Sequence, residues 1–520
     1  MTASVLHPIA NGERSARQAA GAGALAALAG LVAAEVFALV LPGRPSPVTA
    51  VADRVIAGAP DSVREWLIGT VGTLDKPLLV VGIVAVVVGG GALVGLLCRD
   101  RPQRVPWIFL AAAVIGFFVA WDGMTADLAP LGLVIGVGTT VASLVWNRLV
   151  PAPDPGSTAY ANAAVERRTV LRAAAVIGGL TVVGLGVVAL TRRGTSAAVD
   201  ATRAALRLPT ATDSAPALPA GINPPVPGLA PAITPNADFY QIDVSLTPPV
   251  VDVDTWELSI GGLVDTPRTL TYENLLALPS IERHVTLTCV SNEVGGDLVG
   301  TARWQGVRLS DLLDTVGVQD RADLLIGKSV DGFTAGFPIS VLADGRDAMV
   351  AYAMNGEPLP VKHGFPVRLV VPGLYGYVSA TKWLTEIRLT TLDADVPFWL
   401  QRGWSQDGTI ESASRIDVPR DGVRLASGRV AVGGRAWHQH TGVGGVDVSV
   451  DGGAWAKATL ADPIGTDTWR LWSWQWDASP GPHELRVRMR DLDGTLQDEA
   501  DRPVFPGASS GLHTISVETT

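Results

Sequence analysis

The 520-residue sequence is 48% hydrophobic and only 17% charged, with a mean hydropathy of +0.30, so part of it belongs in a membrane. A net charge of −10 and a pI near 5.2 leave no basic surface for a phosphate backbone and exclude nucleic acid as a partner. Its two cysteines, Cys98 and Cys289, exclude a disulfide scaffold, and the lack of any CxxC or CxxCH excludes a zinc ribbon and a c-type haem.

Five segments are long and apolar enough to span a bilayer: about 19 to 41, 76 to 98, 106 to 121, 129 to 147 and 170 to 190, the third being the shortest. Arg14, Arg17, Arg99, Arg101, Arg104, Arg148, Arg167, Arg168 and Arg172 gather on alternate loops, which puts the N-terminus in the cytoplasm and everything after Leu190 outside. Glu35 is the one clear acid inside the spans, and without a histidine they hold no bis-histidine haem. The spans are read as an anchor or docking surface, with residues 1–190 as a transmembrane domain.

The stretch Glu166 to Leu190, ERRTVLRAAAVIGGLTVVGLGVVAL, fits both a twin-arginine export signal and plain cytoplasmic anchoring charge. No AxA-type cleavage site follows directly, so the segment is expected to stay as an anchor. Residues 191–235 are rich in Pro, Ala and Thr and read as a semi-rigid tether.

From Asn236 to about residue 395 short strands alternate with helical pieces, an α+β pattern: TWELSIGGLV as a strand, TYENLLALP and LSDLLDTVGV as short helices. In HVTLTCVSNEVGGD, Val285, Leu287 and Cys289 alternate with Thr286 and Thr288, and Asn292, Gly295 and Gly296 end the strand. Cys289 therefore stands where a strand meets a loop. A buried structural thiol, a soft-metal ligand and a nucleophile are the readings of such a cysteine. A hydrolase would want a base beside it, and His284, on the same strand and the opposite face, is poorly placed. In HGFPVRLVVPGLYGYVSATKWL, His363 and Arg368 come just before an apolar strand, and Arg368 and Lys382 near Gly373 and Gly376 fit either a phosphate site or a solvated face.

Residues 396–520 are of strand character from about 415 onward. VDVSVDGG and HELRVRMRD alternate, Trp472, Trp474 and Trp476 share one face, and Asp451, Gly452 and Gly453 mark a hairpin. The pattern reads as an immunoglobulin-like β-sandwich. His438 and His440 lack a third metal ligand.

The runs LTCVSN, GTARWQGVRLSDLL and AYAMNGEPLPVKHGFPVRLVVPGLYGYVSATKWL resemble the sulfite oxidase family of molybdenum enzymes, over about residues 234 to 520. The resemblance implies a sulfite-oxidase-like molybdopterin domain with Mo-molybdopterin as cofactor and Cys289 as the protein thiolate on the metal. It places pterin contacts on Asn236, Phe239, Tyr240, His363, Arg368, Ala380, Thr381 and Lys382, with Asp331 a weaker match. It also implies a homodimer through the C-terminal sandwich, and tips the Arg167–Arg168 pair towards export of a folded, cofactor-loaded domain.

The sequence departs from sulfite oxidase itself around the substrate. Val290, Ser291, Asn292, Glu293 and Val294 follow the cysteine where the family carries arginine, Pro235 and VFPGASSGLH lack further arginines, and Trp404 replaces a tyrosine. Sulfite beside Glu293 would be opposed by roughly 4 kcal/mol per charge pair at about 4 Å and an effective dielectric near 20. The expectation is a membrane-anchored, extracytoplasmic oxidoreductase moving an oxygen atom between Mo and a small neutral or cationic substrate, with Cys289, Trp404 and Glu293 at the pocket and an external electron-transfer partner. The competing class is a non-enzymatic surface protein on a degenerate scaffold, against which the intact Cys289, His363, Arg368 and Lys382 argue.

Overall fold

A computed structural model describes residues 7–38, 47–58, 75–120, 128–150, 197–245 and 248–520. The fifth expected span, 170–190, and the Arg167–Arg168 pair lie outside them. The chain divides into two compact units, the second comprising residues 198–243 and 248–520.

The first unit is helical: α1 (His7–Ala38), α2 (Pro47–Gly58), α3 (Asp75–Leu97), α4 (Val105–Ala120) and α5 (Leu128–Leu149). Four of its helices, covering Ala16–Ala38, Leu78–Leu97, Pro102–Val119 and Leu131–Leu149, are long and apolar enough to cross a membrane. Small residues let α1 approach its neighbours: a Cβ on Gly23 would stand 2.1 Å from the Gly91 carbonyl oxygen, and one on Gly30 2.6 Å from that of Gly138. Large apolar side chains face outward, with Val86 74% and Trp107 72% exposed, which is costly in water and ordinary against lipid. Glu35 has a structural role, because its Oε1 accepts the Val48 N–H at 2.9 Å in the first turn of α2, a helix absent from the sequence reading.

The second unit is built on four sheets. One takes the order β2 (Arg268–Thr271), β1 (Glu257–Gly262), β10 (Leu384–Thr390), β5 (Leu324–Ser329) and β6 (Thr334–Pro338), with β1 and β10 parallel. Another runs β3 (Ile281–Thr288), β4 (Val299–Arg308), β7 (Met349–Met354) and β8 (Glu357–Pro358), with β9 (Arg368–Val370) also on β7. Two short helices appear where periodicity put them, α6 (Tyr272–Leu276) and α7 (Leu309–Asp314). Thr271 and Asn274 cap α6 reciprocally, which fixes its start.

The C-terminal strands form two further sheets around a core of their own, Val432, Trp472, Val487 and Met489 among it. One is β11 (Ala413–Val418), β13 (Gly428–Trp437), β17 (Arg470–Ala478) and β16 (Thr459–Leu460). The other is β12 (Arg424–Leu425), β19 (Thr514–Thr519), β18 (Gly481–Asp491), β14 (Val443–Val450) and β15 (Ala456–Lys457). Asp451 and Gly452 both take positive φ, 51° and 68°, as the tight hairpin after β14 requires.

The Pro-rich stretch differs from the expected tether over residues 198–235. Val199, Ile222 and Ala232 are buried in the main core, the Thr212 N–H donates to the Ser280 carbonyl at 2.9 Å, and the Trp469 indole N–H donates to the Ala232 carbonyl at 2.6 Å. Proline limits ladder formation but not packing, so after a short helix over 197–205 the rest of the segment, mostly without regular structure, packs against the core. His438 and His440 are paired with carboxylates, His438 with Asp491 and His440 with Asp344 and Asp467, and among the described residues no group of three or more metal-ligating side chains forms.

Candidate cofactor and active site

Cys289 follows the last residue of β3, where the ladder with β4 runs out. Its N–H donates to the Leu298 carbonyl at 2.9 Å and its carbonyl accepts from the Asn292 N–H at 3.1 Å, making a tight turn that the Asn292 side chain closes by accepting from the Leu298 N–H at 2.8 Å. The support beneath is buried and hydrogen-bonded: the Trp469 N–H donates to the Thr286 hydroxyl at 2.8 Å, and the Gln439 amide donates to the Thr288 hydroxyl at 2.9 Å. The thiol keeps partial solvent access although protein atoms surround it. Burial pushes its pKa up, while hydrogen bonds from Ser291 and the charge of Lys382 pull the other way. A rigidly held, part-open thiol that burial keeps protonated suits a soft metal, whose binding removes the proton.

Beside it lies a buried cationic group. Arg368 is 5% exposed, with its guanidinium 5.1 Å from the Trp304 ring centroid. It donates to the Leu369 carbonyl at 3.3 Å and the His363 carbonyl at 3.2 Å. Burial lowers its pKa to about 10, so it stays charged at neutral pH. Only two of its five N–H donors are used in these bonds, an incomplete satisfaction that an anionic group would relieve. Gly364, at φ 111°, fits between the two cations, since a Cβ there would lie 3.1 Å from the Cβ atoms of both Arg368 and Lys382.

Lys382 stands differently from the expectation of a free phosphate ligand. Its ammonium pairs with the Asp243 carboxylate and donates to the Ile242 carbonyl at 3.0 Å and the Lys362 carbonyl at 3.5 Å. Asp331, exposed in the turn after β5, accepts from the Phe333 N–H at 3.2 Å, and its charge acts on Lys382.

His363 is 1% exposed and its Nε2 lies 2.9 Å from the Asn236 carbonyl. A carbonyl only accepts, so Nε2 carries the proton and Nδ1 is left as an acceptor. Burial, helped by the charges of Arg368, Lys362 and Lys382, drives its pKa down to about 4, and the ring is neutral. Asn236 turns its side chain away, donating to Met354 and Glu357 and accepting from Asn355, so its carbonyl is what reaches the site. Phe239 stacks on Tyr240 with ring centroids 5.3 Å apart and meets the rings of Trp304 and His363 edge-on. The Tyr240 hydroxyl lies within electrostatic reach of both Cys289 and Arg368, and burial, the larger effect, pushes its pKa well up. Thr381 is buried, its hydroxyl donating to the Gly327 carbonyl at 3.3 Å, and Ala380 is half-buried at the end of the turn that carries it.

Cys289, Tyr240, His363, Arg368 and Lys382 are thus brought together from three stretches of the chain, around 240, around 289 and over 363–382. Glu293 lines a small crevice with Thr288, Tyr375 and Glu411. Trp404 instead sits in an aromatic group with Tyr377, Trp399 and Phe505, at centroid distances of 5.7, 5.9 and 5.5 Å, and its buried indole nitrogen has no hydrogen-bond partner. Sequence reasoning missed Asp243, Trp304, Tyr375 and Glu411. Trp304 and Tyr375 lie within the motifs already quoted, whereas no local pattern marks Asp243 or Glu411. A larger hollow of about 350 Å³ is lined by Ala322, Asp323, Pro338 and Gln406 and by none of the residues around Cys289.

A strand-end thiol beside a buried, incompletely bonded guanidinium and neutral histidine defines the class: an oxidoreductase domain built to hold an anionic, metal-bearing cofactor. In agreement, residues 245–398 match the family described as "Oxidoreductase molybdopterin binding domain". The chain belongs to the sulfite oxidase family of molybdopterin oxidoreductases, and the cofactor of its domain is Mo-molybdopterin. It is 38% identical to the uncharacterized oxidoreductase YuiH of Bacillus subtilis over 33% of this chain and 84% of that one. It is 31% identical to the mitochondrial sulfite oxidase of Homo sapiens, over 52% of this chain and 58% of that one, so it spans little more than half the length of that relative. Among solved structures, the sulfane dehydrogenase SoxCD from Paracoccus pantotrophus superposes with a TM-score of 0.49 at 24% identity, covering 56% of this chain and 82% of that one.

Proposed function

We propose that this protein is a membrane-anchored molybdopterin-dependent oxidoreductase, working outside the cytoplasm, that moves an oxygen atom and two electrons between molybdenum and a small substrate other than sulfite. Cys289 is the thiolate on the metal; Arg368, His363, Tyr240 and the Asn236–Phe239 segment hold the pterin; Lys382, through Asp243, ties that segment down. When bound, the cofactor supplies the two-electron oxygen-atom chemistry. The chain's own part is to fix the thiol in a tight turn, offer Arg368 to an anionic group, and keep His363 neutral with Nδ1 ready to accept. The four apolar helices support the anchor, and the two C-terminal sheets, read as an immunoglobulin-like sandwich, are the proposed surface of a homodimer. Electrons exchange with an external partner.

The observation that carries the substrate reading is the crevice beside the thiol: Glu293 and Glu411 line it, and no lysine or arginine does. Arg402 is held over the Phe398 ring and Arg303 pairs with Glu282, which supports the view that neither neutralises it. Both carboxylates are exposed, so the penalty against sulfite is nearer ~1 kcal/mol per charge pair than the ~4 expected for a dry site. With two carboxylates and a doubly charged anion, four charge pairs, that still sums to about 4 kcal/mol, a loss approaching a thousandfold. Molybdenum analysis of the purified protein, followed by turnover of sulfite, dimethyl sulfoxide and trimethylamine N-oxide, tests the proposal: one Mo per chain, with the neutral oxides turned over and sulfite poorly used, is the expected result. A metal-free protein, or one that oxidises sulfite efficiently, refutes it.

A further inference from the structure

Tyr375 lines the crevice described above but has been given no role there. It is 5% exposed, and its backbone is clamped on both sides, its N–H donating to the Gly408 carbonyl at 2.7 Å and its own carbonyl accepting from the Val378 N–H at 3.2 Å. Its ring is therefore presented in a fixed direction. The hydroxyl oxygen accepts the Glu411 N–H at 3.2 Å, which uses the acceptor side of the phenol. The phenolic proton has no acceptor among the described residues. A buried donor left over in this way is costly unless a ligand takes it.

The crevice that Tyr375 lines is also bounded by Thr288, the residue before Cys289, and by Glu293, Glu411 and Ser510. Its open space is about 20 Å³, room for one water-sized group such as a single oxygen atom. Burial, against the pull of the Glu411 N–H bond and with the help of the Glu411, Tyr377 and Cys289 charges, keeps the phenol protonated well above neutral pH, so it acts as a donor.

We propose that Tyr375 is a specificity-determining residue that donates its hydroxyl proton, as a hydrogen bond, to the oxygen of a neutral or cationic oxide such as a sulfoxide or N-oxide, while Glu293 and Glu411 at the rim disfavour anions. This rests on the function proposed above and narrows it to a substrate class. No bond is made or broken by Tyr375: it orients the oxygen and keeps its proton.

The test uses the Mo-loaded full chain, wild type and Tyr375→Phe, with molybdenum content checked to be equal. Dimethyl sulfoxide is titrated without any electron donor, and its dissociation constant is read from the visible thiolate-to-metal absorption. The phenylalanine variant should bind it roughly tenfold more weakly, the loss of one buried hydrogen bond. Equal dissociation constants, or wild-type protein that binds no dimethyl sulfoxide, overturn the inference. If wild type binds it more tightly than the variant yet neither turns it over with a reduced donor, the role of Tyr375 stands and the proposed reaction fails.

Discussion

His363 makes the fold's stability depend on pH in a predictable direction. Its ring is 1% exposed, donates from Nε2 to the Asn236 carbonyl, and has its pKa lowered from 6.5 to about 4, chiefly by burial. Between those two values the unfolded chain binds a proton that the folded chain does not, so stability is whole above about 6.5 and falls as the pH drops towards 4. At about 1.4 kcal/mol per pH unit, the loss is roughly 2 kcal/mol by pH 5 and about 3 kcal/mol once the pH is below 4. His363→Gln keeps an N–H for the Asn236 carbonyl and removes the titration. Urea unfolding of the full chain in detergent, followed by tryptophan fluorescence from pH 7 to 4.5, isolates the effect as the difference between the two proteins, because the carboxylates titrate in both. Wild-type stability should fall relative to the variant on acidification. Parallel curves, or a His363 resonance titrating near 6.5, would show that the ring is not held neutral.

Replacing Cys289 with Ser should abolish turnover and change the Mo absorption while most of the pterin is retained through Arg368 and His363; unchanged turnover and spectrum would remove the thiolate assignment. Arg368→Met preserves bulk under Trp304 but removes a buried charge-assisted contact of about 1.5–3 kcal/mol, so pterin retention through gel filtration should weaken roughly tenfold to a hundredfold. Retention equal to wild type would mean that the guanidinium does not hold the cofactor. Changing Arg167 and Arg168 to Lys keeps the anchoring charge but disables a twin-arginine signal, so the globular region should become protected from protease in spheroplasts; unaltered exposure would sink the export reading.

Some of this protein was fixed by local sequence. Four long apolar helices are legible because each needs about 20 apolar residues in a row, and the strand and turn around Cys289 because period-two alternation followed by Asn292, Gly295 and Gly296 leaves few other conformations. Cys289, His363 and Arg368 were singled out as candidates through motifs whose members lie close together along the chain. Folding decided the rest. That 198–235 lies packed along the sheets depends on surfaces over sixty residues away at Ser280 and well over two hundred away at Trp469, which no local composition encodes. Lys382 carries the same charge in any conformation, yet whether it faces a ligand or Asp243 depends on where the chain brings a carboxylate. Trp404 was expected at the pocket and Tyr375 was not, and only the tertiary contacts put Tyr375 on the crevice beside the Cys289 turn and packed the Trp404 ring among Tyr377, Trp399 and Phe505. Sequence specifies which groups are available, because chemistry is local to the residue; their partners, burial and charge state follow from long-range packing, because those depend on distances that only the folded chain sets.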